Sequence, residues 1–361
     1  MNNSIPALEV LRRGVAGRVF PGASAETGSA ASPAWREAVG ALTYDDPDAP
    51  RVDGSTLFDL ASLTKAIVTT TIAMRLVEDA SLSIDKCVAE YEAGWRGDDR
   101  SAVTVRNLLE HASGLPAWGP LWRGHAGRDA VVAAALETPL AYEPGTQSLY
   151  SDLGFIVLGA VLEGAGGSPL DALFASVSGA WRGDDGQAAP LVFNPRASLK
   201  TRAAPTRYSP DRDRLLAGEV DDDNAWAMGG VAGHAGLFGT AAAVGVFARL
   251  VLRALAHDEE AGHLLAGPAT LLRFLAPSTV PGSSRALGWD LMRPTSSCGS
   301  RMSARAFGHT GFTGTSLWID PARDFYAVLL TNRVHPEAGP GEPIQEVRRA
   351  FHDALLEDHT G

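Results

Sequence analysis

Lysine is nearly absent from this chain: among 31 Lys and Arg residues only Lys65, Lys86 and Lys200 are lysines. Arginine stays protonated in proteins, whereas a desolvated lysine can give up its proton. A lysine set among apolar residues therefore invites a chemical explanation. Cysteine is also scarce. Cys87 and Cys298 stand far apart in sequence, which implies no disulfide framework and fits two unpaired thiols in a reducing compartment. An excess of base is missing, and a formal charge of −11 argues against nucleic acid as a partner. No His or Cys has zinc-like spacing and no H-E-x-x-H is present, so neither a metal nor another cofactor is expected. The first residues, from Met1 to Leu11, lack a basic segment and a long apolar run. No signal peptide and no membrane span are expected, and the expected location is cytoplasmic.

What is present describes a globular protein. Apolar residues make up 45% and charged residues 20% of 361 positions, enough for one large domain or two medium ones. Lys65 is the only ionisable residue between Ala61 and Met74, in a stretch that reads as a helix apolar all round and therefore buried. Ser62 stands three residues before it, so the two share a helical face. A helix N-terminus favours negative charge and offers free N–H groups. A serine there, with an amine beside it, has the parts of a nucleophile site. Taken alone, S-x-x-K equally describes an N-cap serine and a lysine reaching for water.

Along the chain, the pattern suggests a first helix from Leu8 to Val19, short strands around Ala38–Thr43, and the apolar helix after Ser62, closing near Glu78. Thr104 caps a short helix that ends at His111, read as a helix-end residue. A further helix is expected from Leu153 to Leu162, then a loop-rich stretch from Gly164 to Pro210. Glycines crowd 225–240, suiting close backbone approach or tight turns, and Thr240 caps a helix to about Ala256. Thr315–Asp320 and Phe325–Asn332 read as an antiparallel hairpin about Pro321–Asp324. Ile344, Val347, Phe351 and Leu355 share one face of a closing helix. Trp118 and Trp122 could line an apolar acyl pocket, but ordinary packing is the expected role. Asp59 reads as support for the site, and Asp222 and Asn224 as turn formers.

Three pieces then stand in order: Ser62-Leu63-Thr64-Lys65, Tyr150-Ser151-Asp152 and His309-Thr310-Gly311. Together with Leu108–Leu115, Glu143-Pro144-Gly145 and Gly311–Pro321, they resemble the serine β-lactamase and penicillin-binding protein superfamily, above all its class C branch, whose middle motif starts with Tyr. The resemblance runs from about Phe20 to the C-terminus. It implies an α+β fold: an antiparallel sheet flanked by helices, built from both chain ends, with an inserted, mostly helical subdomain. Residues 1–361 would form one catalytic domain, with the α/β region at about 1–85 and 285–361 and the helical region at about 86–284.

By the same resemblance Ser62 is the acylated nucleophile, Lys65 and Tyr150 share proton transfer, and the N–H groups of Ser62 and Phe312 form an oxyanion hole. Either Lys65 or Tyr150 could be the base, since burial lowers an amine and a nearby cation lowers a phenol. Asp152, Thr310, Gly311 and His309 would meet substrate; His234 either faces the site or packs in its loop. Two positions depart from the lactam-recognising pattern. His309 replaces a permanently charged Lys. Asp152 replaces an Asn that can donate a hydrogen bond, and it would favour a charged Lys65. The expected function is a metal-free serine hydrolase acting on a small ester, amide or peptide. The alternatives are a D-alanyl-D-alanine carboxypeptidase, a weak β-lactamase, and a sensor that stays acylated.

Overall fold

The structure, a computed structural model, describes residues 4–44 and 46–357; residues 1–3, part of the stretch read for a signal peptide, lie outside the described residues. At its centre is a six-stranded antiparallel sheet drawn from both parts of the chain. In spatial order its strands are Pro33–Gly40, Gly22–Gly28, Phe325–Thr331, Ser316–Asp320, Phe307–Thr310 and Asp290–Leu291. The expected hairpin joins the fourth strand to the third, with Ser316 opposite Leu329 and Asp320 opposite Phe325.

Alternation along the strands covers both faces. On Phe325–Thr331, Ala327 and Leu329 pack with residues of helices Ser4–Ala16 and Glu342–Leu355. Tyr326, Val328 and Leu330 belong to the larger core, which includes helix Ala241–Leu255. Ile344, Phe351 and Leu355 are buried, as the closing-helix pattern requires, and Val347 is partly buried against them.

The strand Gly22–Gly28 escaped the pattern because it is made almost wholly of small residues, which carry little β signal. It is nevertheless buried along its whole length, and its small side chains let helices approach on both faces. Its one charge, Glu26, is fully buried and fully partnered. Glu26 accepts from Arg249 at 2.8 Å, from the Tyr326 hydroxyl at 2.5 Å, and from Arg36. Gly245 makes room for this carboxylate, since a Cβ there would lie 1.7 Å from its oxygen.

Other boundaries also differ from expectation. The first helix spans Ser4–Ala16 and stops at a left-handed Arg18, with the Val19 N–H closing on the Gly14 carbonyl. The helix expected from Leu153 to Leu162 runs over Asp152–Gly166 and ends at a left-handed Gly167. Helix Leu170–Ser178 lies in the stretch read as loop; only Leu170 and Phe174 are buried on it, too few to give a clear period. Thr104 and Thr240 cap their helices, each accepting a backbone N–H three residues on. Both cysteines are free. Among the described residues no single helix is long and apolar enough to cross a membrane.

Candidate active site

The local fold around Ser62 is set by hydrogen bonds on either side of it. Phe58–Asp59 pairs with Leu237–Gly239, which fixes where the chain enters the turn. Ala61 is held at a left-handed φ of 48°, and its N–H donates to Asp59 Oδ1 at 2.8 Å. Such a conformation is strained for a residue with a Cβ. Thr313 and Thr315 clamp the same turn from the sheet, donating to the carbonyls of Asp59 and Leu60 at 2.7 and 3.1 Å. Ser62 therefore stands on a tight turn immediately before the buried helical segments Lys65–Thr70 and Thr71–Glu78.

Lys65 is completely buried and uses all three of its N–H bonds. It donates to Ser62 Oγ at 3.0 Å, to Asp152 Oδ1 at 2.7 Å and to the His234 carbonyl at 3.1 Å. Burial alone would lower the amine, but Asp152 and then Tyr150 outweigh it, and Lys65 sits above its ordinary value. The direction favours the charged amine, as expected of a lysine with Asp152 beside it.

Tyr150 stands beside this group, with Lys65 Nζ 4.8 Å from its ring centre, and its hydroxyl interacts with Ser62 and Lys65. Burial pushes the phenol up, while the Lys65 charge pulls in the opposite direction; the net shift is upward. Ser151 explains why Tyr150 and Asp152 point inward. Its hydroxyl caps helix Asp152–Gly166 by accepting from Gly154 N–H at 3.0 Å, and it donates to the Pro116 carbonyl at 2.7 Å. The Asp152 N–H then donates to the Ala117 carbonyl at 2.8 Å.

The third motif closes the opposite wall. Gly311 is required by close approach, because a Cβ there would lie 2.1 Å from Thr315 Oγ1 and 2.7 Å from the Leu60 carbonyl. Arg348 secures this turn by donating to the Gly311 and Thr315 carbonyls at 2.7 and 2.8 Å. The N–H groups of Ser62 and Phe312 donate to no other described residue. His309 is buried and its Nδ1 pairs with the Thr310 carbonyl at 2.8 Å, which requires a proton on that nitrogen. Burial, with added repulsion from Lys65 and Arg285, holds His309 down to about 4 despite the Asp290 carboxylate. It is a neutral imidazole at neutral pH.

Ser62, Tyr150, Asp152, His234, His309, Thr310, Gly311 and Phe312 line one cavity of about 800 Å³, with Lys65 directly beneath Ser62. His234 contributes twice: its carbonyl receives Lys65, and its Nε2 meets Asp222 Oδ1 at 2.8 Å. Burial would raise Asp222, but His234 and the Ala225 N–H hold it down to about 2. Asp222 is thus a helix cap and a partner of His234 at once.

Several residues of the site were not recognised from sequence. His111, read as a helix end, is buried under Tyr150 at a ring distance of 4.6 Å, and its Nδ1 accepts the Ser151 N–H at 2.9 Å. Its left-handed φ of 58° has no mark in the sequence. Arg285 lies 4.9 Å over the Tyr150 ring and is pinned by Asp290 at 2.5 Å. Asp59, read as support for the site, accepts the Ala61 and Asp221 N–H groups, and burial, then the charge of Asp221, pushes its carboxyl up to about 7. Trp118, expected to be packed, is 51% exposed.

Comparison with known proteins agrees with this architecture. A family model described as Beta-lactamase matches residues 9–350. An N-acetylmuramyl-L-alanine amidase of Bacillus subtilis (strain 168) is 30% identical over 325 residues, 79% of this chain and 71% of the relative. A protein of Escherichia coli (strain K12), named as a candidate D-alanyl-D-alanine carboxypeptidase, is 30% identical over 324 residues, with the same coverage of 79% and 71%. Among solved structures, simvastatin synthase from Aspergillus terreus superposes with a TM-score of 0.76 at 19% identity over 100% of both chains. At that identity the likeness concerns the fold.

Proposed function

The chain belongs to the beta-lactamase family and is a hydrolase, and from this premise we propose that it cleaves an ester or amide bond through an acyl-enzyme on Ser62. In this reading residues 1–361 act as one catalytic domain. The observation that carries the proposal is Lys65 Nζ, 3.0 Å from Ser62 Oγ and 2.7 Å from Asp152 Oδ1, a carboxylate contact that favours the charged amine. An amine in that state has no lone pair for the serine proton, so the acceptor is Tyr150, acting as its phenolate. The Lys65 charge favours that ionisation, working against the burial that leaves the phenol shifted upward overall.

Acylation then runs in two steps. Ser62 Oγ bonds to the substrate carbonyl carbon as its proton passes to Tyr150, and the developing oxyanion accepts from the Ser62 and Phe312 N–H groups. The bond to the leaving atom breaks as Tyr150 returns the proton to it. Water repeats the sequence: it gives a proton to Tyr150, attacks the acyl carbon, and Ser62 leaves with the proton.

Two features favour esters over lactams. Asp152 is a carboxylate engaged with Lys65 and has no N–H to offer a substrate carbonyl. His309 is neutral and offers no permanent charge to a substrate carboxylate. The names of the bacterial relatives favour a second reading, hydrolysis of a cell-wall peptide.

A panel of p-nitrophenyl acetate and butyrate, nitrocefin and a D-Ala-D-Ala peptide separates these readings. Sustained ester turnover above nitrocefin turnover is expected; faster peptide hydrolysis would establish the second reading, and a single burst without turnover would indicate a sensor. Fluorophosphonate labelling should disappear in Ser62→Ala, and persistent labelling would sink the Ser62 assignment.

A further inference from the structure

Two large apolar side chains left in water share the cavity that holds Ser62: Trp118, 51% exposed, and Phe312, 54% exposed. Exposed aromatic surface beside a cavity marks a contact to be made. Both rings are held in place. Trp118 packs on Trp122 with ring centres 5.6 Å apart. The buried Asn224 pins that loop, donating to the Gly119 carbonyl at 2.9 Å and accepting the Trp122 N–H at 3.1 Å. Phe312 carries the Arg333 guanidinium 4.9 Å over its ring, and Arg333 Nε donates to the Phe312 carbonyl at 2.8 Å. Each ring is braced by a neighbour and still open to the cavity.

Polar groups line much of the cavity, and two of them mark the place of Tyr150. Arg285 and His309 gather around Tyr150, at 4.9 Å and 5.9 Å from its ring. Tyr150 must reach the leaving atom, so the leaving group lies on that polar side. The acyl carbonyl is held by the Phe312 N–H, which brings the carbons attached to it beside the side chain of the same residue. We propose that Trp118 and Phe312 grip the acyl part of the substrate, so that this hydrolase selects esters or amides of bulky apolar or aryl carboxylic acids over acetyl compounds. The proposal rests on Ser62 being the acylated residue.

The test is kcat/KM for p-nitrophenyl acetate, butyrate, hexanoate and benzoate with the wild type, Trp118→Ala, Trp118→Phe, Phe312→Ala and Ser62→Ala. The wild type should favour hexanoate over acetate by about 10- to 100-fold, the range an apolar pocket reaches for added methylenes. Trp118→Ala and Phe312→Ala should each cut that ratio by about tenfold, and Trp118→Phe should keep most of it. Melting temperatures check that the variants are folded. A wild type that prefers acetate, or a Trp118→Ala variant that lowers all four esters by one factor, overturns the acyl grip. Turnover that persists in Ser62→Ala overturns the Ser62 reading beneath it; turnover that needs Ser62 but ignores acyl size overturns the grip alone.

Discussion

Asp152 Oδ1 lies 2.7 Å from Lys65 Nζ, and this contact keeps the amine charged inside an apolar helix. In the proposed mechanism that charge leaves Tyr150 as the proton acceptor and gives the reaction an alkaline character, because a base works only once deprotonated and the phenol is shifted upward. The rate should still be climbing at about pH 9, below the ordinary phenol value of about 10. In Asp152→Asn burial acts on Lys65 with its main counterweight gone, so the amine loses its proton more easily. The acid limb of the kcat/KM profile should then move to lower pH. An unmoved limb would show that Asp152 does not set the charge of Lys65.

Asp59 links stability to pH. Its carboxyl is raised from 3.8 to about 7 in the folded state, so the folded chain holds a proton that the unfolded chain has released across that window. Stability from this group is therefore lost as pH rises from about 4 to about 7, by at most roughly 4 kcal/mol at about 1.4 kcal/mol per unit. Asn carries no such proton, although it leaves one of the two N–H groups that Asp59 accepts, those of Ala61 and Asp221, poorly paired. Denaturant titrations at several pH values should show Asp59→Asn gaining on the wild type as pH rises. A constant difference would refute the linkage.

His111 is predicted to act through Tyr150. In His111→Phe the aromatic contact survives, but the Ser151 N–H loses its acceptor, a loss of about 1–3 kcal/mol for a buried group. The displaced phenol should lower kcat more than it raises KM. Equal loss in both, or none, would mean that His111 merely fills space.

Arg249 tests the sheet. Replacing it by Met leaves Glu26 buried with one partner fewer, and breaking such a pair costs about 3–5 kcal/mol. Denaturant unfolding should show that loss; a difference under about 1 kcal/mol would place the work on Tyr326 and Arg36 instead.

Legibility in the sequence followed the strength of each local signal. Lys65 was conspicuous because lysine is so rare here, and the hairpin was readable because 316–331 is rich in β-branched and aromatic residues. Gly22–Gly28 was not, since Ala, Ser and Gly announce no strand; its place between helices creates the need for them. Arg285 could not be singled out, being one of 28 arginines (31 basic residues less three lysines), until the fold laid it over Tyr150. Trp118 was misjudged because a tryptophan's usual burial is a property of its type. Asn224, a hundred residues later, holds this loop at the cavity.

The sheet joins strands from both ends of the chain, and this governs when a growing polypeptide can become active. Ser62 and Lys65 leave the ribosome early, but the Phe312 N–H and the Arg348 side chain that steadies the Gly311 turn are made some 250–290 residues later. Until then the strand Gly22–Gly28 lacks Phe325–Thr331 as its neighbour. On the proposed assignment the nucleophile is synthesised well before the turn that completes its site, so a nascent chain becomes a working hydrolase only once helix Glu342–Leu355 has docked.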